Sequence, residues 1–113
     1  MAELREVIPE IISRLKSLDL YKVILFGSLS KSEDAMGNDI DIAVILDSDK
    51  IPASFEERME NAILVEEVLY ELSLKYPIDI TVYTKSEFMR LNEMQQPFVK
   101  ELNSGKILYD IAS

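Results

Sequence analysis

A chain of 113 residues supports one compact domain and leaves no room for two independent ones, and 48% apolar residues spread along its length argue for a core rather than disorder. It contains neither cysteine nor histidine, which excludes disulfides, thiolate metal sites, imidazole bases and the common zinc sites; chemistry must run on carboxylates, hydroxyls, amines and a borrowed metal. A formal net charge of −9 opposes tight sequence-independent binding to nucleic acid and fits a basic protein partner, or anionic ligands carried in with divalent cations, although acidity also keeps a small domain soluble.

Leu4, Val7, Ile8, Ile11, Ile12, Leu15 and Leu18 recur at three- and four-residue spacing, the apolar face of a helix. Pro9 inside that pattern predicts a late start or a bend. Tyr21 to Phe26 is an apolar, β-branched run that reads as a buried strand ended by Gly27-Ser28. Leu29 to Asn38 is polar and predicts a short helical turn and a loop. Asp39 to Leu46 is the second strand, with Asp39, Asp41 and Ala43 on one face and Ile40, Ile42 and Val44 on the other.

Ser54 with Glu57 predicts a capping box opening a long helix. Met59, Ala62, Val65, Leu69, Leu72 and Tyr76, widened by Ile63 and Val68, form its expected core stripe, and Pro77 ends it. Ile78 to Tyr83 is a third strand, with Asp79, Thr81 and Tyr83 opposite Ile78, Ile80 and Val82. Thr84 and Glu87 predict another cap, followed by helix to about Leu102 with a break near Pro97. Lys106 to Tyr109 predicts a small edge strand. The order α-β-(α)-β-α-β-α implies an α/β fold, a small mixed sheet backed by helices, with the acids on its open face. No basic-then-apolar leader opens the chain and no run is long enough to span a membrane, so a soluble, cytoplasmic protein is expected.

Strand alternation puts Asp39 and Asp41 on one face with Cα atoms roughly 7 Å apart, a spacing from which carboxylates converge on hard cations such as Mg²⁺. Asp79 sits on a separate strand in a similar frame of isoleucines. Transfer of a phosphoryl-type group needs such acids, because metals held by them neutralise the triphosphate and align attacking and leaving oxygens. Gly27 lets the backbone approach phosphate oxygens, and Ser28 adds a hydroxyl. From spacing alone two readings stand: a shared acidic metal site, or strand aspartates that merely face solvent.

The run GSLSKSEDAMGNDIDIAVI resembles the signature of the DNA polymerase beta-like nucleotidyltransferase superfamily, and within it the small bacterial and archaeal minimal nucleotidyltransferases. There a G-S-x-A-R-G-like start precedes a D-x-D. Pro77-Ile78-Asp79-Ile80 resembles the third-acid strand, and PFVKELNSGKILYD the family's ending, so the likeness runs over nearly the whole chain. The resemblance implies a polymerase-beta-like fold, with residues 1–113 as one minimal catalytic domain. It makes Asp39, Asp41 and Asp79 catalytic metal ligands, for two Mg²⁺ ions, and Gly27, Ser28 and Lys31 the nucleotide cradle. It implies transfer of AMP from ATP, or use of another nucleoside triphosphate, onto a tyrosine of a HEPN-domain RNase toxin. The chain would then be the antitoxin of a toxin–antitoxin pair and join its toxin in a hetero-oligomer, with no direct nucleic-acid or membrane partner. Ser30, Lys31 and Ser32 depart from the usual Ala, Arg and Gly, and Asn38 from a common Ser. Lys31 keeps the charge but loses the bidentate fork.

Three rivals carry less. Ser28-Leu29-Ser30-Lys31 matches S-x-x-K without its companion motifs. Only three glycines exist, too few for a dinucleotide fingerprint. Asp47 and Asp49 fail EF-hand spacing and read as a solvated turn. Two other functions remain: a non-catalytic antitoxin that acts by occlusion, and nucleotidyl transfer to a small molecule, against which the lack of a second substrate-gripping domain counts.

Overall fold

The computed structural model describes residues 4–27 and 39–112. A 3₁₀ turn, Leu4–Val7, leads into α1 (Ile8–Leu15) and then β1 (Leu20–Phe26). After the second strand, β2 (Ile40–Leu46), come α2 (Phe55–Ser73), β3 (Ile78–Thr84), α3 (Lys85–Glu93), α4 (Pro97–Asn103) and β4 (Lys106–Asp110). The expected helical turn within residues 29–38 lies outside the described residues.

Local chemistry explains the element ends. Pro9 occupies the first turn of α1, where its missing N–H has no helical partner to lose, so the α-helix starts late, at Ile8. Ser54 Oγ accepts from the Glu57 N–H at 3.2 Å, but the Glu57 carboxylate accepts from the Ala53 N–H at 2.8 Å, one residue short of a full capping box. The predicted box at Thr84 is complete: Thr84 Oγ1 accepts from the Glu87 N–H (3.1 Å), and Glu87 Oε1 from the Thr84 N–H (3.3 Å). Pro97 opens α4, which accounts for the break after α3.

The four strands lie in the order β3-β2-β1-β4. β1 is antiparallel to β2 and to β4, whereas β2 and β3 are parallel, joined through α2. The small mixed sheet backed by helices is therefore present. Burial divides it into two cores. On one face Val23, Leu25, Ile40, Ile42 and Val44 meet Ile11 and Leu15 of α1 and Val65, Leu69 and Leu72 of α2. On the other, Ile24, Ala43 and Ile45 meet Phe88 of α3 and Val99 and Leu102 of α4. Each fully buried Leu, Ile or Phe contributes about 1.5–3 kcal/mol, so both layers hold the sheet.

Two expectations change. The face carrying the acids is not open throughout, because α3 and α4 cover its Ala43–Ile45 half. The stripe expected for α2 is buried only at Val65, Leu69 and Leu72; Met59 and Ile63 are exposed. Among the described residues no helix is long and apolar enough to cross a membrane.

Candidate active site

The antiparallel β1/β2 pair brings the end of β1 beside the beginning of β2, and the parallel β3 places its own beginning at the same edge. Phe26 is the partner of Asp41, and Asp41 the partner of Asp79, so one row crosses three strands. Adjacent strands lie about 4.8 Å apart, and register partners send their side chains to the same face. A backbone bond from the Ile40 N–H to the Pro77 carbonyl (2.8 Å) ties the two strand starts together. Asp39 just precedes β2 and is exposed, as is Asp79, while Asp41 is half-buried.

Burial raises the Asp41 pKa above its ordinary value, and the charges of Asp79, Asp39 and Glu101 raise it further, in that order. Among the described residues no cation offsets them. The acids predicted on two strands are thus electrostatic neighbours, and α4 contributes a fourth carboxylate, Glu101, that the linear pattern did not single out. No local motif around Glu101 marks it as a site residue.

Gly27 has φ +72°, the left-handed region that favours glycine. A Cβ at this position would overlap the Asp41 carboxylate and stand 3.2 Å from its Cγ. Glycine therefore suits the conformation here, and a larger residue would also have to displace the Asp41 carboxylate. Ser28 and Lys31, the other expected cradle residues, lie outside the described residues. Beside the row, Phe98 of α4 meets Phe26 edge-on with ring centroids 5.4 Å apart, which anchors α4, and with it Glu101, against β1.

The donor set fits a hard divalent cation in chemistry: carboxylate oxygens, crowded enough to raise one member, with no positive charge among the described residues to relieve them. Among the described residues, however, no three such side chains converge into a ready chelate. The backbone aligns the acids; it does not by itself close them into a cage.

The family model described as "Polymerase beta, Nucleotidyltransferase" matches residues 9–112. No curated protein matches the chain. Among solved structures, a chain from a mutant of the toxin-antitoxin MntA-HpeT is similar at TM-score 0.50 and 23% identity, over 96% of this chain and 74% of that one. A chain from a second MntA-HpeT mutant gives TM-score 0.47 and 20% identity, over 91% and 73%.

Proposed function

The chain belongs to the polymerase beta nucleotidyltransferase family, and from that membership we propose that it transfers AMP from ATP to a tyrosine of a HEPN-domain RNase toxin and serves as the antitoxin of that pair. The observation that carries the proposal is the Asp41–Asp79 register across β2 and β3, beside an Asp39 whose charge reaches Asp41. Similarity of fold to a chain of a toxin–antitoxin complex supports the choice of partner class.

In this reading Asp39, Asp41 and Asp79 would hold Mg²⁺ ions, which would supply charge neutralisation of the triphosphate. Gly27, with Ser28 and Lys31, cradles the phosphates. The acceptor hydroxyl oxygen forms a bond to the α-phosphorus while the bond to the bridging α–β oxygen breaks, and pyrophosphate leaves. The hydroxyl proton passes to a carboxylate, with Asp79 in that role; a chain without histidine has no imidazole to take it. In this reading the acceptor is a residue of another molecule. The cytoplasm, where ATP and Mg²⁺ are plentiful, is the compartment that suits it.

The test incubates the purified partner with α-labelled ATP, Mg²⁺ and this protein. Label should appear on the partner and be lost with Asp39→Ala, Asp41→Ala and Asp79→Ala. A triple-acid variant that still neutralises the partner at equal stoichiometry supports occlusion instead.

A further inference from the structure

At about 100° per residue, α2 carries two apolar stripes. Val65, Leu69 and Leu72 face the sheet. Phe55, Met59, Ile63 and Tyr70 line a second face, continued just past the helix by Leu74, and none of these is buried: Phe55 is 74% exposed, Tyr70 59% and Leu74 68%. Ile63 and Tyr70, with Glu66 and Glu67, border a shallow hollow in this face. Scattered exposed apolar residues are ordinary, but a stripe running the length of a helix is not.

Charge says what covers it. Glu56, Glu60 and Glu67 fall along one edge of the stripe and Glu66 within it, and none of the four takes an ion pair among the described residues. The only arginine of α2, Arg58, is turned away and pairs with Glu87. A second copy of this chain would set these glutamates against their equivalents, and an anionic lipid surface would be repelled. A protein segment with an apolar stripe flanked by lysine or arginine satisfies both features.

We infer that the outer face of α2, formed by Phe55, Met59, Ile63, Tyr70 and Leu74 and edged by Glu56, Glu60 and Glu67, is a docking surface for a basic, amphipathic helical segment of a partner protein. The surface is on the element that joins the two acid-bearing strands, and on the other side of the sheet from Asp41. It is independent of the transfer chemistry.

The test titrates the isotope-labelled protein with a synthetic helical peptide carrying a leucine stripe flanked by lysines, followed by amide chemical shifts. Saturable shifts are expected along residues 55–74, weakened about tenfold or more by Phe55→Ser with Ile63→Ser, exposed positions where the fold should tolerate the change. Glu60→Gln with Glu67→Gln should weaken binding and flatten its salt dependence. Asp39→Ala with Asp41→Ala should bind as the unmodified protein does, so loss of transfer and loss of docking are separable. The inference is overturned by equal binding of a glutamate-flanked leucine peptide, by shifts centred elsewhere, or by no saturable binding. Self-association in sedimentation abolished by Ile63→Ser, or binding to phosphatidylglycerol vesicles through this face, overturns it too.

Discussion

The Gly27 backbone lies against the Asp41 carboxylate so closely that the smallest side chain would collide with it. The two residues belong to antiparallel neighbours, Gly27 just after the end of β1 and Asp41 near the start of β2, and the Phe26–Asp41 pairing fixes their approach. Glycine here therefore answers to both φ and space. Gly27→Ala should cost about 1–3 kcal/mol for a residue held in the left-handed region. It should also push the Asp41 carboxylate from its place. Urea unfolding measures the first effect and the nucleotidyl-transfer assay the second. Transfer should fall at least tenfold at a temperature where the variant remains folded; unchanged transfer would show that the carboxylate's position is immaterial.

Asp41 predicts a conflict between stability and activity. Its folded-state pKa is raised by burial first and by Asp79, Asp39 and Glu101 next. Between the ordinary value of 3.8 and the raised one, the folded chain holds more protons than the unfolded chain. This group's contribution to stability therefore falls as pH rises through that window, and the full penalty is present above it. Asp41→Asn removes the penalty, so the metal-free variant should be more stable than the parent at neutral pH. The difference should vanish below the ordinary carboxyl value, and transfer should be lost throughout. Thermal unfolding across pH, without divalent cations, checks this. Added Mg²⁺ should then raise the melting temperature of the parent more than that of the variant.

The Thr84–Glu87 box has a second task beyond starting α3. Glu87 is 5% exposed; its Oε2 makes no well-aligned hydrogen bond yet lies 2.9 Å from an Arg58 guanidinium nitrogen. That contact joins α2 to the start of α3, and with it the first core to the second. Thr84→Ala should cost about 1 kcal/mol, the usual worth of an N-cap. Arg58→Ala should cost about 1–3 kcal/mol, more than an ordinary surface pair, because a buried carboxylate oxygen loses its charged partner. Chemical denaturation of both variants measures these costs. An Arg58→Ala variant as stable as the parent would mean that water replaces the guanidinium.

The same cluster tunes Tyr83. Burial raises its phenol pKa, Glu87 raises it further, and Arg58 partly offsets both. With Arg58→Ala the offset is gone, so the Tyr83 pKa should rise again. Ultraviolet titration of the phenolates, compared with the same variant carrying Tyr83→Phe, isolates this group. A fall in its pKa would contradict the geometry.

Features set by periods of two residues or by single-residue stereochemistry were legible without a structure. Alternation in DIDIAVIL and IDITVY places the acids opposite the isoleucines, because successive strand side chains point to opposite faces. Pro9, Pro77, Pro97 and the Thr84–Glu87 cap mark element ends through local backbone chemistry. Ser54 was read correctly as a cap, but its glutamate bonds one residue earlier than expected, a detail that turns on the path of the incoming chain.

Relations between distant residues were decided by the tertiary structure. Nothing near Glu101 reveals that α4 carries it to Asp41, since the Phe26–Phe98 contact that holds α4 there joins residues far apart in sequence. Periodicity placed Met59 and Ile63 in one core stripe with Val65, Leu69 and Leu72; only packing showed that the last three are buried while Met59 and Ile63 stay exposed. The sequence by itself determined which residues could share a face, because that follows from bond geometry within one element. Which faces meet, and hence that Asp41 stands between Phe26 and Asp79 with Gly27 against its carboxylate, follows from strand register and burial, which act on the whole chain at once.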